Sequence, residues 1–167
     1  MLEKLIRIIA IILLVISQDS YIAAFQDRLP QFSDYAINER YIGRNASIVL
    51  KSRDERMFRT KLREAAREKP NFAGHYIVTI WGCGTGCISG AVIDAKTGRI
   101  SLFPFTVCCG DGSEDNHYGD VEFRQDSKLI IFSGARNEKE GDEGRHFYVF
   151  KDRRFKWLNS VKASKKN

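Results

Sequence analysis

The chain reads as an α+β domain: one N-terminal helix at about residues 53–69 packed on an antiparallel β-meander of six to seven strands, braced by disulfides. Three observations predict this class. A single segment carries apolar residues at helical spacing. Everything after Pro70 breaks into short β-branched and aromatic runs separated by Gly, Asp, Asn and Lys turns. The cysteines, four in number, are even and clustered.

The helix begins at Ser52, followed three residues later by Glu55, which is capping-box spacing. Phe58, Leu62, Ala65 and Ala66 form its apolar stripe. Lys69-Pro70 ends it, because the residue before proline is driven out of helical geometry. Ser47-Ile48-Val49-Leu50 is a short strand candidate just upstream. Downstream, strands are expected at Tyr76–Trp81, Ile88–Asp94, Ile100–Val107, Val121–Arg124, Leu129–Ser133, Phe147–Lys151 and Phe155–Leu158. Lys96-Thr97-Gly98 supplies a hairpin turn with glycine where positive φ is wanted. Pro104 marks an edge or a bulge. Turns such as Asp126-Ser127-Lys128 resemble those of propeller blades, but there are too few repeats to close a propeller.

The N-terminus carries Lys4 and Arg7, then an uncharged apolar run from Ile8 to Ile16. That run is about half the ~20 residues a membrane helix needs. A basic start, a short apolar stretch and small residues make a secretory signal over 1–24. Cleavage is expected after Ala24, with Ser17 the alternative site and an uncleaved anchor the competing reading. Residues 25–159 then form one domain, and 160–167 a basic tail. The expected location is periplasmic or secreted, with membrane contact only through the signal before cleavage.

The formal net charge is +6. From Lys151 onward, seven basic residues stand against Asp152 alone, so the excess sits at the C-terminal end of a nearly neutral domain. Such an end attracts anionic lipid, glycan or an acidic protein, or is simply a solvated tail. No nucleic-acid motif is present.

Export makes Cys83, Cys87, Cys108 and Cys109 expected crosslinks. Sequence alone leaves three connectivities open. Pairing Ile93 with Ile100 across the 96–98 turn and extending that register favours a nested pair, Cys87–Cys108 and Cys83–Cys109. Its rival is Cys83–Cys87 with a vicinal Cys108–Cys109. A zinc site fits poorly because the second cysteine pair is adjacent. A redox dithiol lacks C-x-x-C. The glycines at 82, 84 and 86 fail the dinucleotide spacing, and a strand follows them rather than a helix. There is no G-x-S-x-G elbow.

Among the other polar clusters, Asp111, Ser113, Asp115 and Glu122 occupy positions 1, 3, 5 and 12 of a calcium loop. Asn116 stands where that template has glycine, so a solvated acidic loop competes with calcium binding. No other cofactor is expected. His117, with Asp115 close in sequence, and His75 are the candidate acid–base residues. His75, Tyr76 and Trp81 are the ligand-binding candidates beside the glycine–cysteine segment.

The stretch Gly74-His75-Tyr76, running on into Trp81-Gly-Cys-Gly-Thr-Gly-Cys87 and Ile93-Asp94…Thr97-Gly98, resembles a group of small, uncharacterised exported bacterial proteins. The resemblance spans about residues 70–105, with weaker echoes at Asp126-Ser127. It implies a bacterial periplasmic or secreted setting and carries no activity or residue roles. The expected function is an exported, disulfide-stabilised binding or interaction protein of the cell envelope, of inhibitor, immunity or binder type, without catalysis. Its partner would be a protein or envelope component. The alternative is a small periplasmic hydrolase using His117 or His75 with a nearby carboxylate.

Overall fold

The computed structural model describes residues 28–84, 86–109 and 119–163. The expected signal at 1–24 and most of the acidic loop, including Asp111, Ser113, Asp115 and His117, lie outside them.

The predicted α+β arrangement is present, with two antiparallel sheets. A 3-10 turn (Phe32–Tyr35) precedes α1 (Arg53–Met57) and α2 (Arg59–Ala65). The strands are β1 (Tyr76–Gly84), β2 (Cys87–Asp94), β3 (Ile100–Leu102), β4 (Val107–Cys108), β5 (Asp120–Phe123), β6 (Leu129–Ser133), β7 (Ala135–Arg136), β8 (Gly144–Lys151) and β9 (Arg154–Lys162). One sheet runs β1-β2-β4-β7, with β3 also paired to β2; the other runs β5-β6-β8-β9.

Alternation along each strand sets the layers, since neighbouring side chains point to opposite faces. Val78, Val92, Ile130, Phe132, Tyr148 and Phe150 fill the core between the sheets. Ile77, Trp81, Ala91 and Ile93, on the other face of the first sheet, pack under Leu62 and Ala65 of α2. Leu129, Ile131 and Phe147 lie on the outer face of the second sheet, beneath Leu29, Phe32 and Tyr35. The N-terminal segment is tied there by Ser127, whose hydroxyl donates to the Phe32 carbonyl at 2.8 Å. β2 is therefore covered on both sides, which explains its nearly continuous burial from Gly90 to Asp94.

The helix starts as its sequence requires: Glu55 N–H donates to Ser52 Oγ and Ser52 N–H to Glu55 Oε2, both at 3.0 Å. It is not continuous to residue 69. Phe58 leaves helical geometry (φ −94°, ψ 15°) where its ring meets Trp81, at a centroid distance of 4.7 Å. The last regular residue is Ala65. Asn45, remote in sequence, donates to the Ala66 and Glu68 carbonyls at 2.9 and 2.7 Å and satisfies part of that end. Ser47–Leu50 is not a strand; Val49 makes a single parallel bridge to Arg99. The expected strand 100–107 divides around Pro104 into β3 and β4, and the last strand runs on through Ser160 to Lys162.

Candidate functional site

His75 is placed by a tight reversal. Ala73 (φ 40°) and Gly74 (φ 79°) both adopt left-handed backbone. A Cβ on Gly74 would lie 2.7 Å from the Glu39 carbonyl oxygen, so only glycine fits. Gly74 N–H donates to the Gln125 carbonyl at 2.7 Å, locking the reversal onto the turn between β5 and β6. His75 Nδ1 then lies 3.1 Å from Glu39 Oε1, an ion-pair distance without hydrogen-bond geometry. Its Nε2 is 3.8 Å from Asp94 Oδ1. The Tyr76 ring stacks on the imidazole at 4.1 Å. A cleft of about 370 Å³ opens here between Ile37, Glu39, Tyr76, Lys128 and Asp152.

Both carboxylates at His75 already hold other partners. Glu39 contacts the Lys96 ammonium, which holds its carboxyl below the ordinary value. Asp94 accepts from Lys96 N–H (2.9 Å), Thr97 N–H (3.3 Å) and Thr97 Oγ1 (2.7 Å), closing the hairpin turn. Burial, helped by Asp94, pushes the Tyr76 phenol up. Among the described residues the cleft lining contains no serine, threonine or cysteine. The arrangement can hold a ligand or move a proton, and the only hydroxyl among its described lining residues is the Tyr76 phenol.

Trp81 does not join His75 and Tyr76. Five residues on from Tyr76, it falls on the opposite face of β1 and packs under α2. Its buried Nε1 has no hydrogen-bond partner among the described residues. Glu122 is ion-paired with Arg145 at 2.6 Å. Among the described residues no group of three or more His, Cys, Asp and Glu side chains is arranged to hold a metal.

The disulfides are Cys83–Cys87 and Cys108–Cys109, correcting the nested pairing. Ile93 does face Ile100, but further along the ladder Ile88 faces Val107. The chain gains two residues around Pro104, which carries Cys108 to the position across from Cys87, so register alone does not select the bonded pairs. At the other end, a bulge between Gly82 and Gly84 brings Gly84 opposite Cys87. Cys83 and Cys87 then close the hairpin tip with Cα atoms 5.2 Å apart, an ordinary disulfide separation.

Two features escaped the sequence reading. The first is a groove of about 1200 Å³ between the loop 40–48 and the C-terminal end of α2. Arg40, Arg44, Arg63, Arg67 and Lys69 line it, against Glu68 as the only carboxylate among the described lining residues. None of these five cations has an ion-pair partner among the described residues. Ile42, 93 % exposed, is also part of its wall. Asn45 pins the loop to the helix end, while Tyr41 N–H to the Gly74 carbonyl (3.0 Å) and Ala46 N–H to the Ala95 carbonyl (2.8 Å) pin it to the first sheet. The Arg63/Arg67 spacing of i, i+4 was the one available signal, since such residues share a helix face.

The second is a polar chain on the second sheet that runs from buried His146 to exposed Trp157. His146, 1 % exposed, lies with Nε2 at 2.9 Å from the Gly134 carbonyl and 3.0 Å from that of Asp142. Two carbonyl acceptors assign the proton to Nε2, so Nδ1 accepts from the Ser160 hydroxyl at 2.9 Å. Ser160 Oγ in turn accepts from Trp157 Nε1 at 3.0 Å. Burial lowers the His146 pKa and keeps the ring neutral. Asp142 is forked by Arg136, Nε to Oδ2 and NH2 to Oδ1, both at 2.8 Å; this pair holds its carboxyl at about 2. With His146 sealed from solvent, the chain cross-braces β6, β8 and β9.

Comparison with family models, with curated proteins and with solved structures gives no match. No helix among the described residues is long and apolar enough to cross a membrane.

Proposed function

We propose that this chain is an exported, non-catalytic binding module of the bacterial cell envelope whose ligand is an anionic polymer. The observation that carries the reading is the arginine-lined groove, with five cations that no described carboxylate neutralises. Guanidinium groups favour phosphate and carboxylate, which they can engage through paired N–H donors. Isolated surface charges are usually solvated, but convergence of several cations on one concave surface raises the local concentration of an anionic partner. Two closed disulfides support an oxidising compartment. Hydrolysis at His75 is the lesser reading, because Glu39 and Asp94 are engaged by Lys96 and Thr97.

Calorimetric titration with inorganic polyphosphate at low salt tests this. Each cation is worth about 0.2–1 kcal/mol, so R40Q/R44Q/R63Q/R67Q is expected to weaken binding roughly tenfold or more. K162Q/K165Q/K166Q, which neutralises the C-terminal lysines, is expected to bind like the parent protein. Unchanged affinity in the groove variant, or an equal loss in the lysine variant, refutes the groove as the site.

A further inference from the structure

The four cysteines form one cluster with a graded exposure. Cys83 and Cys109 are exposed, whereas Cys87 and Cys108 are 6 % and 2 % exposed and share one buried cluster with Ala135. Each disulfide thus joins one exposed and one buried cysteine, and the two buried ones belong to the same cluster. The backbone dictates this proximity. With Ile88 opposite Val107 in an antiparallel ladder, Cys87 and Cys108 are the next cross-strand positions. Such positions bring Cβ atoms to about 4.5–5.5 Å, close to the 3.5–4.5 Å of a disulfide.

We propose that the two disulfides are a single thiol–disulfide exchange unit, taking two electrons from a dithiol at exposed Cys83 and relocating the remaining crosslink to the buried pair Cys87–Cys108. A thiolate of the dithiol attacks Cys83 Sγ, the Cys83–Cys87 bond breaks, and Cys87 leaves as a thiolate. The dithiol's second thiol displaces Cys83, forming the oxidised dithiol and a free Cys83 thiol. The Cys87 thiolate attacks Cys108 Sγ, the Cys108–Cys109 bond breaks, and Cys109 leaves and is protonated. The dithiol is oxidised by two electrons; its two protons end on Cys83 and Cys109; one disulfide remains. That bond joins β2 to β4, and the β1–β2 tip, with Gly82 and Gly84 beside Cys83, is released from its clasp.

Differential alkylation of the mature protein tests this. One equivalent of dithiothreitol is added, free thiols are capped with N-ethylmaleimide, and the two-thiol species is digested with trypsin. Lys96 and Arg99 separate the two cysteine pairs, so in the starting protein each pair sits on its own peptide. The expected product has these peptides joined through Cys87–Cys108, with the caps on Cys83 and Cys109. Separate peptides with both caps on one pair overturn the proposal, as does any other cross-link. A second measurement uses C83S/C109S: air oxidation of this variant is expected to yield Cys87–Cys108, and persistence of two free thiols also overturns it.

Discussion

Replacing Asp142 with Asn removes the carboxylate that holds the β7–β8 connection. Its two oxygens take the Arg136 Nε and NH2 donors at 2.8 Å, and Oδ2 also accepts from the Arg136 backbone N–H at 3.2 Å. The Asp142 side chain is 14 % exposed and that of Arg136 26 %, so water screens the pair only in part. A carboxyl at about 2 in the folded protein, against 3.8 ordinarily, corresponds to about 2 kcal/mol of stability. Because the folded value is depressed, that contribution is complete above the unfolded pKa and is lost as pH falls from 3.8 toward 2. Roughly half of it is gone by about pH 3. Urea unfolding followed by tryptophan fluorescence should show D142N unfolding roughly 1 M earlier at pH 7, with the gap narrowing on acidification. A difference under about 0.5 kcal/mol at pH 7, or one that stays constant as the pH falls, refutes the reasoning.

His146 makes the protein acid-sensitive at higher pH. Burial sets its folded pKa below the unfolded value, so the unfolded state binds more protons and stability falls as pH drops through about 6.5. H146L should cost about 1–3 kcal/mol at pH 8, from the unpaired Gly134 carbonyl and Ser160 hydroxyl. The stability lost by the parent protein between about pH 6.5 and 5 should be smaller in H146L, which chemical denaturation at each pH measures. Leu62 is fully buried under the first sheet, so L62A should cost about 2–5 kcal/mol; a thermal melt of L62A matching that of the parent protein would mean that α2 is not docked as described.

Local chemistry was legible where the interacting residues are neighbours in the chain. Ser52 and Glu55 form the capping box that their spacing implies, because both groups belong to one helical turn. Gly98 adopts φ +69° in the hairpin that sets Ile93 opposite Ile100. The helix break at Phe58 was not legible, since it coincides with a ring contact to Trp81 in another element. The cysteine connectivity failed for a related reason. Register brings Cys87 and Cys108 to facing positions, but the bulge at Gly82/Gly84, which no local pattern announces, sets Gly84 opposite Cys87 and lets Cys83 close on Cys87. The candidate ligand residues separated likewise: His75 and Tyr76 share a cleft, while strand alternation turns Trp81 to the other face.

Sequence by itself determined the α+β class, the cap, the central hairpin and the clustering of the cysteines, all of them consequences of short-range periodicity and turn geometry. Only the tertiary structure decided which cysteines bond and where cationic charge concentrates. Arg40 and Arg44 meet Arg63, Arg67 and Lys69 because the Asn45 side chain reaches the carbonyls of residues 66 and 68 and draws a loop to a helix end. The charge obvious in the sequence lies at the C-terminal end. The charge that converges on a groove is dispersed along the chain, and long-range hydrogen bonds rather than any local pattern bring it together.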